Sequence, residues 1–303
     1  MHKLAPVILF VYNRPKHTRR TLSALERNLK ASDSILYIIS DGPKNASSVE
    51  SVNQVRSIIR EPWNFKHINI VERSSNWGLA KSVIDGVTRV INEHEQAIVL
   101  EDDLETSRYA LTYFNDALNR YRDEDKVMEI SGYMYPIEHP KRLPKSFFFR
   151  VANSWGWATW KRAWDHFDPD INKLTETFTR ADIRRFSIDG TENFWKQVQQ
   201  CRAGKINSWA IRWYLSIFNK NGLVLYPRDS MIQNIGTDGS GTHSDQDHVY
   251  RVQLAQAKMK YFPNEIQEHG NAYKAIKHFY ATRKGTLIER IVRYLEKKLK
   301  KRK

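Results

Sequence analysis

The first hundred residues repeat one alternation: a short apolar run, a polar break, then a stretch with helical periodicity. "APVILFVY" (5–12) is continuously apolar, as in a strand covered on both faces. "RPKHTRRTLSALERNLK" (14–30) follows, with Pro15 placed to start a helix and Leu22, Leu25 and Leu29 on one stripe. "SILYIISDG" (34–42), "INIVER" (68–73) and "QAIVLEDD" (96–103) read as further strands, with helices at 49–61 and 78–95 between them. Strand–helix alternation with short connections implies an α/β fold: a mixed, mostly parallel central sheet flanked by helices.

Ligands of such sheets bind beyond the carboxyl ends of the strands. The polar tips there are Asn13 and Arg14, Asp41, Ser74 to Asn76, and Glu101 to Asp103. Four successive strands thus aim polar groups at one edge. The second half changes character. "SGYMYP" (131–136) and "FFFRVANSWGWATWKRAW" (147–164) are rich in aromatics and glycine. A helix is expected over 192–202, and helix, turn and strand over 208–227. Glycine-rich "NIGTDGSGTHSD" (234–245) reads as a mobile loop. No repeat or low-complexity linker interrupts the chain. One unit over 1–265 is expected, with a nucleotide-binding half (1–107) and an acceptor half (108–265), followed by a helical basic tail (266–303).

Three carboxylates in a row, Glu101, Asp102 and Asp103, stand out in a chain of net charge +15. Like charges at neighbouring positions repel, and burial adds a desolvation cost. A divalent cation makes such a cluster tolerable, and hard Mg²⁺ or Mn²⁺ takes oxygen ligands together with substrate phosphates. Successive strand residues point to opposite sides, so the three acids have separate roles. The excess of basic residues points to anionic partners, nucleotides or phospholipid surfaces among them. It is partly local, with nine Lys or Arg against two Glu from Lys284 to Lys303. The single cysteine, Cys201, excludes a disulfide framework and a Cys-rich zinc site. A reducing, cytoplasmic setting is the expectation.

"PVILFVYNRP", "SDGPK", "NWGLAKSV", "VLEDDLETS" and "SWGWATW" occur in the order seen in GT-A glycosyltransferases. The chain resembles the N-acetylglucosaminyltransferase I-like branch and its bacterial polysaccharide-synthesis, family 2-like relatives. That resemblance, spanning most of residues 5–243, implies metal-dependent sugar transfer from a nucleotide-diphosphate donor, UDP by family habit, to a glycan or lipid-linked acceptor. It implies Asp103 as metal ligand, Asp102 at the ribose or a metal-bound water, and Glu101 at the donor-sugar hydroxyls. Asp41 would accept from the base, Tyr12, Asn13 and Arg14 would cradle the nucleotide, and Asn76, Gly78, Leu79 and Lys81 would approach it. Trp155, Gly156 and Trp157 would line the donor-sugar and acceptor side. His243 would join the metal or diphosphate as the loop closes.

An inverting transferase also needs a general base. Relatives often carry an acid in the helix corresponding to "SWAIRW", where this chain has Ala210. Asp189 and Glu192 are the nearest substitutes; a retaining mechanism needs no such base. The tail places Leu287, Ile288, Ile291, Val292, Leu295 and Leu299 at helical spacing opposite a basic face. That pattern suits peripheral contact with an anionic membrane or a helix packed on the domain. A sugar nucleotidyltransferase would carry a glycine-rich loop after the first strand, which "VYNRPKH" lacks. A nucleic-acid-binding protein has no use for a cleft of three carboxylates. A non-catalytic glycan-binding relative is the further alternative that Ala210 raises.

Overall fold

The structure, a computed structural model, describes residues 3–237 and 248–283. His243, most of the glycine-rich loop, and the part of the expected 266–303 tail from 284 onward lie outside the described residues.

The strands are β1 (Val7–Val11), β2 (Ile35–Ser40), β3 (His67–Glu72), β4 (Gln96–Glu101), β5 (Leu104–Thr106), β6 (Val127–Ser131), β7 (Ser146–Phe149), β8 (Trp157–Trp160), β9 (Leu223–Pro227) and β10 (Ile232–Asn234). The helices are α1 (Pro15–Glu26), α2 (Val49–Ile59), α3 (Leu79–His94), α4 (Ala110–Arg120), α5 (Lys161–Trp164), α6 (Ile171–Leu174), α7 (Arg180–Phe186), α8 (Phe194–Arg202), α9 (Trp209–Asn219) and α10 (Gly270–Thr282). Eight strands form one sheet in the order β3-β2-β1-β4-β8-β6-β9-β7, and β5 pairs with β10 in a separate ribbon. The β3-β2-β1-β4 block is parallel. β8 runs antiparallel to both β4 and β6, and so ties the two halves together. This is the mixed, mostly parallel α/β architecture that the strand–helix alternation implies.

Continuous apolar runs became central strands. Val7 to Val11 are all buried between β2 and β4. β3 is the edge strand and is only partly buried, with Ile70 exposed. One expectation is corrected: Leu29, assigned to the apolar stripe of the first helix, is exposed because α1 ends at Glu26. Buried Asn28 pulls the chain off the helical path, donating to Thr106 Oγ1 (2.9 Å) and accepting from the Leu111 N–H (3.0 Å). No helix among the described residues is long and apolar enough to cross a membrane.

Candidate active site

Because β1 to β4 are parallel, their carboxyl ends share one edge, and antiparallel β8 begins at that same edge, where Trp157 pairs with Val99. Glu101, Asp102 and Asp103 follow directly from β4. Asp102 and Asp103 lie in the turn that follows β4, and their side chains take different partners. Asp102 is buried; its Oδ2 accepts from the Tyr12 N–H (3.2 Å), and its carbonyl accepts from Thr21 Oγ1 (2.8 Å). Asp103 turns to Arg14, whose Nη1 donates to its Oδ2 at 2.8 Å. Burial first, then the neighbouring Asp103, pushes Glu101 up to about 8 and Asp102 up to about 7. Stacked anionic charge of this kind is what an incoming cation relieves.

The β5–β10 ribbon closes over this tip. The Ile235 N–H donates to the Asp103 carbonyl (2.8 Å). A Cβ on Gly236 would stand 2.1 Å from Asp103 Oδ2 and 2.9 Å from Arg14 Nη1. Those atoms are ends of flexible side chains, so Gly236→Ala should change stability by less than about 1 kcal/mol. It should still displace the carboxylate, and misplacement on the ångström scale costs about 100-fold in rate. Melting temperature and kcat/KM measured on one preparation check both halves of this prediction.

Asp41, at the end of β2, organises the neighbouring tip. Its Oδ1 accepts from the N–H groups of Gly42 (2.9 Å) and Trp77 (2.8 Å), and its Oδ2 accepts from Gly78 (2.9 Å). A carboxylate offers about four acceptor positions, so one remains for a ligand donor. Asn76 fastens the same loop, donating to the Gly42 carbonyl at 2.9 Å. Tyr12 Oη accepts from the Lys44 N–H (3.2 Å). Asn13 sits half-buried at the β1 tip. Gly78 (φ 75°) caps α3, and Leu79 is exposed in its first turn. Lys81 lies over the Trp77 ring at 4.2 Å, and Arg73 lies 3.7 Å from the same ring. Buried Arg73 also donates to Ser82 Oγ and Asp85 Oδ2, each at 2.8 Å. Neither Arg73 nor Trp77 was singled out from sequence, although a basic and an aromatic residue at a strand tip are such a signal.

The aromatic segment divides. Trp155 lines a cavity of about 330 Å³ and meets Tyr133 and Tyr250 edge-to-face. Trp157 does not line it: it is 1 % exposed and packed among Trp164, Trp209 and Trp213. Gly156 (φ 71°) serves packing, since a Cβ there would meet Ile232 of β10 at 2.7 Å. Glu192 also lines the cavity, ion-paired with Arg283, and Ala210 is part of its wall. Asp189 does not reach it. Its carboxylate accepts from Tyr273 Oη and from Lys277 Nζ (3.0 Å), and the Tyr273 bond, ahead of the Lys277 contacts, holds it below the usual carboxylate range.

Beneath the cavity lies Glu129 of β6, fully buried where the pairing with β9 slips register. It accepts from the Asn153 N–H (2.8 Å) and from Trp213 Nε1 (2.7 Å), and Asn153 Oδ1 in turn accepts from the Trp155 N–H (2.9 Å). One carboxylate thereby joins the loop before β8 to α9. Burial pushes Glu129 up to about 8 against the pull of its two donors. A folded-state value above the unfolded one means the native state keeps a proton that the unfolded chain has lost. The contribution is therefore complete below about 4.5 and lost as pH rises to about 8. Relative to Glu129→Gln, the wild type should lose stability across that window at up to about 1.4 kcal/mol per pH unit. Urea titrations at a series of pH values test this; a flat difference would show that Glu129 is ionised throughout.

The donor set at the β4 tip is oxygen only. Among the described residues no group of three His, Cys, Asp or Glu is placed to hold a metal ion by itself. Carboxylate oxygens are the ligands that a hard divalent cation takes, together with phosphate oxygens and water.

Three comparisons bear on this arrangement. No match is found among curated proteins. Among solved structures, the chain is similar to the mannosyltransferase PcManGT from Pyrobaculum calidifontis in complex with GDP-Man and Mn²⁺, at 12 % identity over 72 % of this chain and 74 % of that one (TM-score 0.39). It is also similar to residues 1–349 of TarS from S. aureus, at 11 % identity over 76 % of this chain and 59 % of that one (TM-score 0.44). At the level of families, residues 7–167 match the model for glycosyl transferase family 2. That match covers more than half of the chain and includes β1 to β4, the acidic tip and the segment around Trp155; the chain belongs to glycosyl transferase family 2.

Proposed function

We propose that the chain moves a sugar from a uridine diphosphate donor to a hydroxyl of a glycan or lipid-linked oligosaccharide, with inversion, in bacterial surface polysaccharide synthesis. The observation that carries this reading is the convergence on one sheet edge of the Asp41 loop, the Asp102–Asp103 tip and Arg14, beside an aromatic cavity. The Asp41 loop would hold the base, with Trp77 offering an exposed ring beside it. Arg14 would turn from Asp103 to the diphosphate, where a guanidinium gives paired hydrogen bonds. Asp103, with Asp102 beside it, would hold a Mn²⁺ or Mg²⁺ ion, which supplies positive charge to the departing diphosphate. Glu101 would accept from donor-sugar hydroxyls.

Of the two candidate bases, Glu192 is the one in the cavity wall, where it is paired with Arg283, and it would take the acceptor proton. The acceptor oxygen would then bond to the anomeric carbon as the bond to the diphosphate oxygen breaks. The tail beyond 283 would add contact with anionic lipid, which co-sedimentation of the full chain with anionic vesicles can test.

The deciding experiment is thermal unfolding against a panel of nucleoside diphosphates and nucleotide sugars, with and without Mn²⁺. Ligand at 100 times its dissociation constant stabilises the fold by about 2.7 kcal/mol. A shift with the uridine compounds that depends on metal supports the reading. A metal-dependent shift with another nucleotide replaces the donor, and the absence of any shift sinks the donor site.

A further inference from the structure

We propose that the cavity between the loop before β8 and helices α8, α9 and α10 receives the terminal sugar of the acceptor, and that it selects an uncharged pyranose. The inference rests on the glycosyltransferase reading above and deepens it. Trp155 stands two residues before Trp157, which pairs with Val99, so the cavity adjoins the tip that carries Glu101 to Asp103.

The wall chemistry suits a sugar. Trp155, Tyr250, Trp209 and Phe194 supply aromatic surface on which the C–H faces of a pyranose can pack, and Gln197 and Asn153 supply polar groups for its hydroxyls. These rings are held before any ligand arrives. Trp155 is wedged against Tyr133 and Tyr250, and its loop is tied through Asn153 to Glu129.

The charge balance excludes ionised sugars. Among the described residues, Glu192 and Arg283 are the charged residues of the lining, and each neutralises the other, with side chains only 14 % and 8 % exposed. Arg283 Nε also donates to Tyr250 Oη at 2.7 Å. A ligand carboxylate would meet Glu192 and would find, among the described lining residues, no cation without an acid partner. A ligand ammonium would meet Arg283. Either charge would lose its hydration without gaining a partner, which is how a pocket rejects a charged analogue.

The test uses the full chain with UDP and Mn²⁺ present, and reads glycoside binding by saturation-transfer NMR and tryptophan fluorescence. The probes are the methyl pyranosides of glucose, galactose, mannose and N-acetylglucosamine, beside the methyl glucuronide and the methyl glycoside of glucosamine. At least one uncharged glycoside should bind, and both charged probes should bind at least tenfold more weakly than it does. Trp155→Ala and the surface variant Gln197→Ala should weaken the uncharged ligand, the first by at least tenfold, with the UDP-induced thermal shift unchanged. Equal or tighter binding of a charged probe overturns the selectivity. Undiminished binding by both variants, or binding of none of the glycosides, overturns the site. The UDP shift keeps the two readings apart: if it persists while glycosides fail, this inference alone falls, and if it is absent the donor assignment falls with it.

Discussion

Asp103→Ala should lower sugar transfer by about 100- to 1,000-fold, the loss typical of removing one preorganised charge-stabilising group at a reacting centre. The variant should fold normally. Asp103 and Arg14 are partly solvated, with side chains 19 % and 16 % exposed, and a pair of that kind contributes at most about 1 kcal/mol. Removing Asp103 also relieves the repulsion that, after burial, does most to hold Glu101 and Asp102 above their ordinary range. Asp103→Asn separates shape from charge, since it keeps the volume and a hydrogen-bonding oxygen for Arg14. Initial rates for wild type, Ala and Asn at saturating donor, with melting temperatures alongside, decide the matter. Full activity in either variant would remove the acidic tip from the chemistry.

Trp213→Ala should have the largest effect on stability. The indole is 1 % exposed, packs against Trp157 and Trp164, and donates to Glu129. Truncating a buried tryptophan costs about 3–5 kcal/mol in transfer and cavity terms. Here the change also leaves Glu129 with one donor instead of two, deep in the protein. Against a typical domain stability of about 5–15 kcal/mol, that is a large share. Trp213→Phe retains an aromatic in the stack and loses the hydrogen bond, so about 1–3 kcal/mol is expected from it. Urea denaturation with linear extrapolation measures both. A loss below about 1 kcal/mol for the alanine variant would show that the tryptophan cluster repacks around the gap.

The N-terminal half was readable because its central strands are buried on both faces and leave unbroken apolar runs, as in "VILFV" and "AIVLE". The acidic tip was readable for the opposite reason, since three carboxylates after such a run conflict with burial unless a ligand resolves them. The match to family 2 supports the broader of the two resemblances and does not single out the N-acetylglucosaminyltransferase I-like branch. The second half was harder. Strands β7 and β8 have four residues each, too few to display a period, and their aromatics suit core and binding surface equally. Trp155 and Trp157 are two apart and would share a face in a strand. The left-handed backbone of Gly156 breaks that alternation and sends one ring to the cavity and the other to the core. Glu129 could have been found, because a lone acid inside "VMEIS" contradicts its neighbours. Arg283 and Tyr250 could not, since they reach the cavity from segments far along the chain.

The ribbon that closes over Asp103 has a consequence for the making of the protein. Its second strand, β10, and Gly236 lie about 130 residues beyond the acid they cover, a delay of about 7–26 s at ordinary ribosomal speed. Throughout that interval the nascent chain carries β1 to β4 and the acidic tip without the piece that braces it. By the time Gly236 emerges, α8 and α9 have already been synthesised. The arrangement therefore couples the bracing of the acidic tip to the prior synthesis of α8 and α9, so the tip is completed only when most of the chain has been made.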